Sequence, residues 1–228
     1  MIYLYSLLTI VAFCCALQFT KRIKSVFLNT FVVTVLLLVG FLLLTKIPYD
    51  SYMQGNAPIN NLLGVSVVAL ALPLYQQAAQ IAARWKAILL IIVTSSLFSM
   101  FTGALLAVLL GGSLEVVASV LPKSVTTPIA MAIASNIGGL PAVAAVGVIV
   151  AGLQGSIFGY VVLKKLKLKH SEAIGLSVGS VSHALGTVSC FEVDPKAGNY
   201  SSISLVLCGI ISSLLAPLVF KLVTLFMS

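Results

Sequence analysis

Seventeen consecutive residues, Lys123–Gly139 (KSVTTPIAMAIASNIGG), concentrate hydrogen-bonding groups inside an otherwise apolar chain. Thr126 and Thr127 precede Pro128, and Ser135 and Asn136 precede two glycines. Proline fits the first turn of a helix, with Thr126 or Thr127 as N-cap. A half-helix beginning there would aim free N–H groups and its positive dipole end into the surroundings. That is chemistry for an anion such as a carboxylate. The plainer alternative is a capped helix with no ligand.

A second constellation is SVSHALGT, which sets His183 among Ser180, Ser182 and Thr187. Imidazole gains or loses a proton near neutral pH, so His183 is a candidate proton carrier. The alternative is a neutral histidine bonded to a carbonyl. Glu192, in the polar stretch that follows, is a second proton-coupling candidate beside the default of a solvated acid. The cysteines, Cys14, Cys15, Cys190 and Cys208, show no CxxC and no histidine at metal-ligand spacing. They read as buried thiols, with no metal and no cofactor expected. No Ser/His/Asp order, HExxH, paired carboxylates or phosphate loop supports an enzyme.

The elements that must hold these groups are set by composition. The 228 residues are 60% hydrophobic and 8% charged, which defines an all-α polytopic membrane protein. In hydrocarbon an unpaired polar group costs several kcal/mol, so broken polar backbone survives only where protein or a cavity surrounds it. The net charge of +8 would suggest nucleic acid in a soluble protein. Here the basic residues cluster between apolar runs, at Lys21/Arg22/Lys24, Arg84/Lys86 and Lys164/Lys165/Lys167/Lys169. That is the positive-inside pattern of a bilayer protein and excludes the nucleic-acid reading.

Apolar runs predict about six full transmembrane helices. They are Ile2–Phe19, Val26–Thr45, Leu62–Tyr75 extended to Arg84, Ala87–Leu110, Leu140–Leu163 and Ser201–Phe226. The first lacks a basic n-region and reads as a retained helix with its N-terminus outside. Lys46–Asn61 and Gly186–Tyr200 read as polar loops, the former outside, and Leu114–Leu121 as a short outer segment. Ala173–Leu185 is too short to span. Charge alternation then requires Lys123–Gly139 and Ala173–Tyr200 each to enter and leave on one side, or one of them to be a broken span with a compensating change elsewhere; two short discontinuous or re-entrant elements, one from each face, are the expectation. The chain reads as one integral membrane domain, 1–228, with hydropathy suggesting inverted repeats at 26–110 and 140–226. Small residues four apart (Ser95/Ser99/Gly103/Ala107, Ala151/Gly155/Gly159, Gly175/Gly179/His183) predict close helix packing.

LGVSVVALALPLY at 63–75, LPKSVTTPIAMAIASNIGGLPAVAAV at 121–146, SHALGT at 182–187 and SSISLVLCGIISSLLAP at 201–217 resemble the LrgB/CidB family over most of the chain. The resemblance implies one of two functions. One is transport of small carboxylates such as pyruvate, 3-hydroxypropionate, glycolate or glycerate. The other is antiholin-like modulation of murein hydrolases and lysis. It also implies a bacterial inner (plasma) membrane location, a small LrgA/CidA-type membrane partner and a homo- or hetero-oligomer. The chain departs from the family pattern at Val65, where proline is usual, at Ala132, where a polar residue is frequent, and in a loop whose acids are only Glu192 and Asp194. The expected reading is a carrier of a small monocarboxylate, proton-coupled through His183. Its binding residues would be Thr126, Thr127, Pro128, Ser135, Asn136, Ser182, His183 and Thr187.

Overall fold

The computed structural model describes residues 2–23, 30–69 and 71–227. Lys24 of the first basic cluster and positions 26–29, the start of the second expected span, lie outside them. The described residues are helical and contain no strand. Five helices are long and apolar enough to cross a bilayer, and a sixth, shorter one is equally apolar.

Contacts divide the chain into two compact units, Met1–Val68 and Ala69–Ser228. In the first, α1 (Ile2–Ile23) and α2 (Thr30–Thr45) pack together, with the Thr20 and Thr30 hydroxyls 2.8 Å apart. The stretch expected as the loop Lys46–Asn61 is instead largely helical: α3 (Tyr49–Gly55) follows Pro48, and α4 (Ala57–Ala69) starts two residues after it. Helix satisfies backbone groups that a bare loop beside hydrocarbon would leave unpaired. Thr9 Oγ1 and Tyr52 Oη, 2.7 Å apart, tie α3 to α1.

The second unit opens with α5 (Ala71–Gln76) and α6 (Ala78–Leu109), a 32-residue helix bent at Arg84. Gly111, at φ +77°, turns the chain into α7 (Leu114–Val120), capped by Ser113. Pro122 cannot continue a helix, and residues 121–126 form turns. Then α8 (Thr127–Asn136) runs back to Gly138, at φ +83°, in the left-handed C-terminal position that glycine suits. Gly139 lies against the Ser119 backbone, and Leu140 N–H donates to Ser119 Oγ at 2.7 Å. The elements α7 and α8 thus form a re-entrant hairpin that enters and leaves at the Leu109 end of α6.

From there α9 (Pro141–Gln154), a π-helical turn (Gly155–Gly159) and α10 (Tyr160–Lys165) cross to the other side. The next helix, α11 (Ser171–Val193), has the length and composition of a span, but it folds back at His183 (φ +43°, ψ −138°). A Cβ on Gly186 would meet Val178, which a straight helix would hold far away. Ile174 clusters with Cys190, and Asp194 is hydrogen-bonded to Ser171. Residues 171–182 and 184–193 are therefore two antiparallel arms of a second re-entrant hairpin. Its base lies at the end of the unit where Arg84 and Lys196 bind Glu172. The polar loop expected at Gly186–Tyr200 is instead the returning arm plus the start of α12 (Pro195–Met227). The small, hydroxylated residues there pair within the protein, so polarity did not mean loop.

The two hairpins enter from opposite ends of α6, which is the expected arrangement rather than the broken-span alternative. Close packing positions both. Gly175 and Gly179 let the first arm of α11 press on the Ala197 and Ser201 carbonyls of α12. Ser96 and Cys208 join α6 to α12 at 3.3 Å.

Candidate functional site

The hairpin tips converge on α9. Lys123, at the tip between α7 and α8, lies with its Cβ 3.7 Å from the position a Cβ on Gly147 would occupy. His183, at the tip of α11, places Nε2 2.7 Å from the carbonyl of the next residue, Val148. A carbonyl only accepts, so Nε2 carries hydrogen and donates. Gly152 makes room for the ring, since any Cβ there would collide with it, and Gly155 does the same for Ser182. The π-turn after Gly155 lies directly beside this tip; such irregularities recur at functional sites.

Between the tips a cleft of about 360 Å³ is lined by Lys123, Ser124, Gln154, Phe158, Val181 and Ser182, among others. That is near the lower end of the ~300–1,000 Å³ typical of ligand pockets. Lys123 Nζ donates to Ser99 O at 2.9 Å and to Ser99 Oγ at 2.7 Å, and Ser99 Oγ is 2.6 Å from Ser124 Oγ. Ser99 lies ten residues before the end of α6, about 15 Å along the helix at 1.5 Å per residue. The cluster is therefore deep within the unit.

The structure distributes the expected site residues unevenly. Thr126 is the extended N-cap of α8 and Pro128 sits in its first turn. Thr126 Oγ1 is buried and has no hydrogen-bond partner among the described residues. Thr127 begins the helix beside it. Ser135 and Asn136 are exposed at the opposite end of the ten-residue helix, about 15 Å away. They do not join Thr126. Ser182 lines the cleft, while His183 is buried behind it against α9. Thr187 donates to His183 O at 2.9 Å and bonds Ser201 Oγ at 2.8 Å, bracing the hairpin against α12. Glu192 is exposed near the hairpin base, nine residues from His183 and about 13 Å along the returning arm. The two proton-coupling candidates are thus held apart.

Sequence reasoning missed Lys123, Ser99 and Ser124 as a cluster. The signal was available: a lone lysine inside the broken stretch is an ionisable group at membrane depth, and such groups mark pathways. Ser99 belonged to a small-residue ladder, and nothing in its spacing named its partner.

Outside the membrane segments, Asp194 closes the base of the second hairpin. A hydrogen bond from Ser171, aided by the Lys196 and Ala197 backbone amides, holds its carboxyl below the ordinary range.

These features define a polytopic all-α integral membrane protein with two opposed re-entrant hairpins whose tips flank an open cleft bearing one lysine. Residues 9–222 match the LrgB-like family, and the chain belongs to it. An uncharacterized protein of Haemophilus influenzae is 68% identical over 99% of this chain and 97% of its own length. Protein YxaC of Bacillus subtilis is 38% identical over 93% of each chain. Holin-like protein CidB of Staphylococcus aureus is 32% identical over 95% of this chain and 94% of its own. No solved structure matches.

Proposed function

We propose that the protein is a secondary carrier for a small monocarboxylate of the pyruvate, glycolate or 3-hydroxypropionate kind. It would sit in the inner membrane with its N-terminus outside and its basic face in the cytoplasm. The observation that carries this reading is the meeting of two hairpin tips, from opposite sides, on consecutive residues of one crossing helix. Interrupted helices that meet at mid-depth, with free helix ends and polar side chains, are how carriers build a site both faces can reach in turn. Thr126, Thr127 and Pro128 follow the first tip without lining the cleft, and would aim the α8 N-terminus at the carboxylate from behind Lys123 and Ser124, while Ser182 would line the opposite wall. His183 would hold the second tip on α9. Any proton coupling through it would use Nδ1, because Nε2 is engaged by Val148. Ser135 and Asn136 lie too far along α8 to touch the same small ligand as Thr126.

A second reading, modulation of lysis, is favoured by the holin-like name of the staphylococcal relatives. It explains helix packing but gives no use to polar tips around a cleft. A small LrgA/CidA-type membrane partner and an oligomer are compatible with both readings. Purified protein in liposomes separates them. The carrier reading expects saturable uptake of labelled pyruvate or glycolate without release of trapped dye. Dye release, or no uptake of any small monocarboxylate, would refute it.

A further inference from the structure

We propose that Lys123 is the counter-ion of the transported anion, and that its single ammonium restricts the cleft to monocarboxylates. The proposal rests on the carrier reading and assigns the charge within that site.

The surroundings of Lys123 carry the argument. From α6 it meets Ser99 and Gly103, from α9 Gly147, and Val120 of α7 lies beside it. The titratable group acting on it is the Cys208 thiol of α12. The ion pairs among the described residues are Arg84–Glu172 and Lys196–Glu172, both at the base of the second hairpin. No carboxylate among the described residues pairs with Lys123. A half-buried ammonium without an anion is costly, and at this depth its stem cannot reach the membrane surface. Ser99 accepts two of the three hydrogen-bond donors of the ammonium. The third donor has no partner among the described residues, and Lys123 is part of the cleft wall.

The rest of the lining sets the ligand class. Beyond Lys123 the walls are Ala151, Phe158, Val162, Leu163, Val178 and Val181, with the serines and Gln154 as neutral polar groups. No second cation among the described residues lines the cleft. One carboxylate is neutralised there. A second would lie against apolar side chains with nothing to pair it, at a high desolvation cost.

Two sets of measurements on the full-length protein test this. The first uses the wild-type protein in liposomes and competes labelled pyruvate uptake with propionate and with malonate. Propionate is expected to inhibit at concentrations at least tenfold below malonate; equal potency would overturn the single-cation restriction. The second compares binding of labelled pyruvate to wild type, Lys123→Arg and Lys123→Met. Loss of a hydrogen bond to a charged group is expected to weaken binding to Lys123→Met by about ten- to hundredfold, with Lys123→Arg intermediate. Wild-type affinity in Lys123→Met would overturn the role of Lys123 and leave the carrier reading standing. Absence of pyruvate uptake by the wild type itself would instead count against the carrier reading. If Lys123→Met fails to fold, the wild-type competition still decides the proposal.

Discussion

Two side chains in this site are held in conditions that cost free energy, and each yields a test. Thr126 Oγ1 is buried with no partner among the described residues. A buried polar atom left unpaired costs about 1–3 kcal/mol. Thr126→Val keeps the shape and removes that cost. It should raise the thermal stability of the ligand-free protein while weakening carboxylate binding about tenfold or more. Stabilisation with unchanged binding would show that the atom serves no ligand. His183 holds a left-handed φ of +43°, a conformation costly for any residue but glycine. Its ring repays part of that cost through Val148 O. His183→Gly loses the ring but relaxes the backbone, whereas His183→Ala loses the ring and keeps the strain. The alanine variant should therefore melt lower than the glycine variant in detergent; the reverse order would mean the backbone there is unstrained. If His183 also moves a proton, His183→Gln should flatten the fall in carboxylate affinity between about pH 5.5 and 8, where histidine titrates. An unchanged profile would leave His183 a packing and positioning residue.

At the scale of elements, the second hairpin depends on glycine at its seat. Any Cβ on Gly152 would collide with the His183 ring. Gly152→Ala should destabilise the docked tip by about 1–3 kcal/mol, the usual cost of overpacking. Faster amide exchange in 171–193 than elsewhere would register it. The hairpin base has its own pH dependence. The Asp194 carboxyl titrates below its ordinary value of 3.8, so its contribution is complete above that value and is lost as pH falls beneath it. Exchange at the 171 and 194 ends should therefore accelerate selectively in acid, and Asp194→Asn should remove that acid sensitivity. The sequence showed that α7–α8 and α11 were interrupted, because Pro122, Pro128 and the paired glycines break helix and the apolar runs were short. It did not show that the turn in α11 rests on one histidine, since nothing in the residue type marks a left-handed φ. Nor did it show that 186–200 is helical. Its glycines and polar residues resemble a loop in composition, but Thr187 bonds Ser201 of α12 and Ser189 donates to the Leu185 carbonyl of its own arm.

At the scale of the whole molecule, the order span, hairpin, span, hairpin, span runs from α6 to α12. We propose the inverted repeat as 78–136 and 141–193, each a crossing followed by a hairpin from the side the crossing reaches. This places the repeats later in the first half than hydropathy alone suggested. Hydropathy read the α11 hairpin and the loop after it as separate features. Charges give the orientation: Arg84, Lys86, Lys165, Lys167, Lys169 and Lys196 lie toward the base of the second hairpin. On the positive-inside rule we propose that this face is cytoplasmic. With the native cysteines replaced, Leu110→Cys should react with an impermeant thiol reagent from outside intact cells and Lys167→Cys only after permeabilisation. Reaction of both from one side would invalidate the layout.

The central claim is that the cleft between the hairpin tips binds the carboxylate. Val181 lines that cleft and is exposed, so Val181→Cys reports on it directly. The measurement is the rate at which a membrane-permeant thiol reagent modifies Val181→Cys, in a background lacking the native cysteines, as pyruvate is added. The account predicts that saturating pyruvate slows the reaction severalfold, while malonate at the same concentration leaves it nearly unchanged. A rate that stays constant at pyruvate concentrations that saturate uptake would place the carboxylate elsewhere and contradict the account.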